Sequence, residues 1–244
     1  MVQQCQGGEG KVLVTNRLQS EPGLNSAWIN IRGGLIVSCQ APGGTPIDTP
    51  EFIRAQALTV ELAGASAIRA EGIENVTAVC AAVKIPVIGL IKAYSDQSDV
   101  YITPRVEDVV NLAKAGASIV AVDATQRKRW NGQSLEEFFA EVKKATNVQL
   151  MADIDSLENA QFAADLGFDA VATTLNGYTD IPSPGLPNIN LISQVSKKLD
   201  IPIIAEGGFA TPSEFNKAIE SGAWSVCVGT AITNPYLLTK QFLK

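Results

Sequence analysis

The stretch VEDVVNLAKAGASIVAVD, residues 106–123, decides the fold. Val106, Val109, Val110 and Ala113 recur at the spacing of one helix face, so the first ten residues read as an amphipathic helix. Gly116-Ala117 then breaks the period, since glycine readily takes the left-handed conformation that ends helices. Ile119 to Asp123 follows as a short, continuously apolar run closing on a carboxylate. A run of that length between turn signals reads as a buried strand, of the kind a parallel sheet covers on both faces.

The same unit repeats on both sides of this stretch. Strand-length runs are expected at Leu35 to Cys39, Ala67 to Arg69, Val87 to Lys92, Ile119 to Asp123, Gln149 to Asp153, Ala170 to Thr173, Ile203 to Glu206 and Ser225 to Val228. Helices are expected between them at Glu51 to Ala63, Val106 to Ala115, Leu135 to Ala145, Leu157 to Leu166 and Ser213 to Ser221. Gly64-Ala65, Gly167-Phe168-Asp169 and Gly222-Ala223 punctuate other units as Gly116-Ala117 does the central one. Eight alternating strands imply an α/β chain with right-handed crossovers, closed as a (β/α)8 TIM barrel rather than an open sheet. Neither a GxGxxG after the first strand nor a phosphate-loop lysine near Ala41 to Pro46 supports a nucleotide site. One barrel domain over residues 24–244 is expected, after a polar, Gly-rich and flexible extension at 1–23.

Composition excludes several chemistries. Histidine is absent, which removes Ser-His-Asp triads, imidazole acid–base catalysis and the commonest metal ligand. No metal and no cofactor are expected. The net charge of -6 argues against nucleic acid and anionic membrane as partners, and no apolar run is long enough to span a bilayer. Cys5, Cys39, Cys80 and Cys227 form no CxxC pair, which fits a reducing cytoplasm. A homodimer is compatible with the chain but is not read from it.

Polar residues fall at one end of each unit. Gln40, Arg69, Lys92, Asp123, Asp153, Thr173 and Glu206 lie at the C-terminal end of an expected strand or just after it, and in a barrel those ends form one rim where active sites are built. Lys92 closes the run Val87 to Ile91, and a lysine directed into a barrel costs heavily unless paired or used. Glu206 precedes Gly207-Gly208; its carboxylate either serves chemistry or pairs with Lys92 or Arg69. Arg69 is a substrate clamp, the counter-charge for Glu206, or both. Asp123 and Asp153 are rim groups or loop-ordering acceptors, and Thr173 and Thr174 read as scaffold. Gly207, Gly208, Gly229 and Thr230 sit after the seventh and eighth strands, where barrels bind phosphate with loop amides.

These motifs in order resemble the bacterial N-acetylmannosamine-6-phosphate 2-epimerase family. The likeness runs through Gly34 to Gln40, Ala67 to Ala70, Gly89 to Lys92, Val100-Tyr101-Ile102-Thr103-Pro104, Asp123 to Thr125, Met151 to Ile154, Thr173 to Thr179, Ala205 to Gly207 and Ala231 to Thr233, from about residue 24 to the end. It implies cofactor-free conversion of N-acetylmannosamine 6-phosphate to N-acetylglucosamine 6-phosphate, in sialic acid and amino sugar catabolism. By that likeness Lys92 transfers the proton, Glu206 assists, and Gln40, Arg69, Asp153, Tyr101 and Thr103 contact the phosphorylated amino sugar. The chain departs from the family at Asn234 and Gly208, where arginine is usual, and at Arg105, where threonine is usual and whose guanidinium is expected to supply compensating charge.

Inverting C2 requires ring opening, so that the C2 hydrogen lies beside a carbonyl, and then a neutral base. Partial desolvation and the Arg69 cation would favour the neutral amine of Lys92. Two other readings compete: a Schiff-base aldolase-type lyase using Lys92, and a non-catalytic sugar-phosphate binding protein.

Overall fold

The computed structural model describes residues 24–243. The expected extension at 1–23, with Cys5, lies outside the described residues. Eight parallel strands close into a barrel in chain order: β1 (Leu35–Cys39), β2 (Ala67–Glu71), β3 (Val87–Leu90), β4 (Ile119–Asp123), β5 (Gln149–Asp153), β6 (Ala170–Ala172), β7 (Ile203–Glu206) and β8 (Ser225–Val228). The ring is closed where Leu35 of β1 pairs with Val226 of β8. Helices α1 (Ser26–Asn30), α2 (Pro50–Leu62), α3 (Ile73–Cys80), α4 (Val106–Lys114), α5 (Leu135–Ala145), α6 (Leu157–Leu166), α7 (Ile189–Ser196), α8 (Pro212–Glu220), α9 (Thr230–Thr233) and α10 (Pro235–Phe242) complete the chain.

Local chemistry explains the helix ends. Ser134 and Glu137 form a reciprocal capping box at α5, and Thr211 and Glu214 form another at α8, where Pro212 opens the first turn. Gly64, Gly116, Gly167 and Gly222, the residues expected to end helices, all have φ between 99° and 100°.

Strand period 2 sorts the side chains into two sets. Val37, Ile68, Val120, Val122, Leu150, Ala152, Val171 and Ile203 face outward into the layer under the helices. Ile36, Ala67, Ile88, Leu90, Ile119, Ala121, Met151, Ala170, Ile204 and Cys227 fill the interior. The inward parity carries on to the C-terminal rim: Ser38 and Gln40 follow Ile36, Arg69 follows Ala67, Lys92 follows Leu90, Asp153 follows Met151, and Glu206 follows Ile204. Alternation alone therefore aims the rim's ionisable groups at the barrel axis.

The opposite end is sealed. Trp28 of α1 and Ile31 are fully buried in the interior cluster. The Trp28 indole donates to Gln149 Oε1 at 2.9 Å, and the Trp224 indole donates to the Trp28 carbonyl at 2.7 Å. No helix among the described residues is long and apolar enough to cross a membrane.

Candidate active site

A cavity of about 670 Å³ opens at the C-terminal mouth of the barrel. Of the residues expected at the site, Gln40, Arg69, Lys92, Tyr101, Glu206, Gly207, Gly208, Gly229 and Thr230 line it. Asp153 and Thr103 do not; both are fully buried behind the lining.

Arg69 is the centre of the polar set. It is 1% exposed, grips both Asp153 oxygens at 3.1 and 2.6 Å, and reaches Glu206 Oε2 at 2.5 Å. Burial by itself would lower the guanidinium's pKa, but the charges of Asp153 and Glu206 outweigh it and raise it. The Thr174 hydroxyl joins the cluster, 2.7 Å from Asp153 Oδ1 and 3.2 Å from Glu206 Oε2. Thr173 braces the strand end, donating to the Glu206 carbonyl at 2.8 Å and accepting from its N–H at 3.0 Å. Burial pushes the Glu206 carboxyl up while Arg69 pulls it back, and the net direction is upward. Arg69 is thus the counter-charge that makes both carboxylates tolerable inside the ring.

Lys92 lies two residues beyond β3. Its amine donates to Gln40 Oε1 at 2.6 Å, and Gln40 Nε2 donates to Ser38 Oγ at 2.8 Å. No hydrogen bond or ion pair joins Lys92 to Glu206, although both line the same cavity. By surface area Lys92 is exposed, because the mouth is open. Its amine nevertheless sits above the buried charge cluster, where lost hydration lowers its pKa; Glu71 opposes that, Arg69 adds to it, and Glu206 and Asp153 oppose it.

The expected strand through Lys92 ends instead at Leu90, because the chain there turns back on itself. Lys92 bridges antiparallel to Ile102, and Ala93 N–H bonds to the Tyr101 carbonyl at 2.9 Å. Thr103 holds this fold-back: its N–H donates to Ile91 O at 2.7 Å and its hydroxyl accepts from Ile91 N at 3.1 Å. It does so at φ 45°, an unfavourable conformation for a β-branched residue. Thr103 therefore positions the lysine-bearing segment. Tyr101 faces the cavity with its ring stacked on Tyr94, and burial pushes its phenol up to about 12.

The far wall comes from the loops after β7 and β8. Gly207 and Gly208 have φ of 109° and 77°, and Gly229 caps α9. A Cβ on Gly208 would lie 2.5 Å from Leu186 Cβ and 3.0 Å from its backbone carbon, so the β6–α7 loop closes that position to side chains. Asn234 lines the cavity and spends its carbonyl oxygen capping α10 at Leu237 N, 3.0 Å away. Arg105 does not reach this wall; it packs over the Trp130 ring, 5.7 Å from the centroid, so it supplies no replacement charge there.

Several lining residues escaped the sequence reading, among them Ser38, Tyr178 and Cys227. The inward parity of Ser225 and Cys227 was a signal for the last of these. Asp123 sits on β4 but is held by Thr125 and Arg127 and orders its own loop.

A closed ring of eight strands whose C-terminal mouth gathers Lys92 and Glu206 defines the class by architecture: a (β/α)8 barrel with a lysine and a carboxylate at its mouth. The chain belongs to the family described as "Putative N-acetylmannosamine-6-phosphate epimerase", whose model matches residues 53–244. Relatives from Caldanaerobacter subterraneus subsp. tengcongensis and Thermosynechococcus vestitus, both named "Putative N-acetylmannosamine-6-phosphate 2-epimerase", are each 45% identical. The first match covers 87% of this chain and 91% of the relative; the second covers 87% and 93%. The solved N-acetylmannosamine-6-phosphate 2-epimerase from Clostridium perfringens superposes with a TM-score of 0.85 at 37% identity, over 92% of this chain and 98% of that one.

Proposed function

We propose that the chain inverts C2 of N-acetylmannosamine 6-phosphate to give N-acetylglucosamine 6-phosphate, with Lys92 as the base that removes the C2 proton and returns it to the opposite face. The observation that carries this reading is the placement of Lys92: a held amine of lowered pKa over the cavity mouth that also collects Glu206 and Arg69. Once the ring opens, C1 is a carbonyl and the C2 proton leaves into an enolate. Gln40 and Tyr101 face the sugar and hydrogen-bond its oxygens. Arg69 presents positive charge to the developing enolate, while Asp153 acts through Arg69 by fixing its fork. Glu206, whose carboxyl is raised toward neutrality, moves the ring-opening proton. The phosphate rests on the amides of Gly207, Gly208, Gly229 and Thr230.

Turnover of this substrate in deuterium oxide, followed by proton NMR, is expected to place deuterium at C2 of the product. Product formed with full retention of the C2 proton would favour direct transfer and end the Lys92 proposal.

The reaction belongs to amino sugar metabolism, with sialic acid catabolism in a reducing cytoplasm as the proposed setting. A second copy of the chain is part of the same proposal. No residue of α10 is buried, and Tyr236, Leu237, Phe242 and Leu243 leave an apolar side open, with Phe242 92% exposed. Light scattering is expected to give twice the chain mass, and Phe242→Asp is expected to shift it to the monomer.

A further inference from the structure

The two ends of the cavity differ in charge. Among the described residues that line it, the cationic side chains are Arg69 and Lys92; Lys92 follows β3, and Arg69, rooted on β2, carries its guanidinium across the ring to Asp153 and Glu206. Arg69 is ion-paired with Asp153 and Glu206 through its two terminal nitrogens while its Nε–H has no partner, and Lys92 is hydrogen-bonded to Gln40. The opposite wall offers Gly207, Gly208, Phe209, Thr230, Asn234 and Gln241, all uncharged. Nor can Gly208 be elaborated, because Leu186 occupies the space its side chain would need. A phosphate dianion bound here gives up its hydration for neutral donors only, in a chain whose net charge is -6. A free hydroxyl at the same place loses far less water and finds the same amides.

We infer that this site also epimerises the unphosphorylated 2-acylamino sugar, with the 6-phosphate adding little to recognition. The inference rests on the proposed C2 epimerisation and specifies its substrate class. The proton path is the same for either sugar: C2 to the Lys92 amine, then back to C2 on the other face. Each charge-assisted contact that a guanidinium would have supplied corresponds to about tenfold to a hundredfold in binding, and here the wall supplies none.

The test uses the full chain with N-acetylmannosamine and with its 6-phosphate, reading C2 exchange in deuterium oxide and kcat/KM for each. The expected preference for the phosphorylated sugar is under about a hundredfold; a larger preference overturns the inference. Asn234→Arg puts a cation on the neutral wall and is expected to raise that preference at least about tenfold. A folded Asn234→Arg protein, verified by its melting curve, with an unaltered preference would show that the wall does not face C6, and overturns the inference as well. Exchange confined to the phosphorylated sugar removes this inference and leaves the epimerase reading standing. Exchange with neither sugar removes both.

Discussion

Lys92→Ala is expected to lower kcat for epimerisation by about 10⁴-fold, the upper range for loss of a general base, while sugar binding changes little. The amine hydrogen-bonds only to Gln40 among described side chains, so its removal breaks no hydrogen bond of the Arg69 cluster or of the loops after β7 and β8. Lys92→Arg is expected to fail equally, since a guanidinium stays protonated and cannot accept the C2 proton. The wild-type pH profile follows from the direction of the lysine's shift. Only the neutral amine is a base, so kcat/KM rises as pH climbs through the Lys92 pKa and levels off above it. Because burial lowers that pKa, the acid limb lies below the ordinary lysine value of about 10.4. An active alanine variant, or a limb at or above that value, would refute the assignment.

Arg69→Met is expected to destabilise the barrel by about 3 to 5 kcal/mol, because it strands the Asp153 and Glu206 carboxylates inside the ring. For a chain of this size the melting temperature should fall by roughly 10 °C. The pH dependence has a definite sign. Burial already raises the Glu206 carboxyl, and without the guanidinium that opposes it the folded pKa of Glu206 rises further above the unfolded one. The deficit is then full well above that raised value and shrinks as pH falls and Glu206 protonates. Thermal melts of both proteins at pH 8 and pH 5 measure this; a gap that widens toward acid would contradict the paired-charge account. Asp153→Asn added to Arg69→Met should recover part of the loss, since one stranded charge is then gone.

The barrel was legible because its punctuation is chemical. The bounds read for β1, β4, β5, β7, β8, α5 and α6 agree with the structure, since glycines and capping residues mark their ends. Helices α3 and α7 were harder to single out: α3 starts at Gly72 without a side-chain cap, and both are rich in β-branched residues. Rim residues were visible as polar groups closing apolar runs, but their partners were not. Arg69 on β2 reaches across the ring to β5 and β7, a distance in space that one sequence does not encode. For the same reason Lys92 pairs with Gln40 rather than Glu206, and Thr103 proves to brace a backbone fold-back where a substrate contact was expected.

Trp28 and Ile31 form a floor and isoleucines pack the passage from below, so that among the described residues the C-terminal mouth is the doorway to this chamber. Reactant and product, differing at one carbon, must therefore take turns at the same threshold. Accumulating product slows the forward conversion by occupancy, and abundant reactant displaces it. The direction of net flow is accordingly left to whatever consumes the sugar outside the doorway.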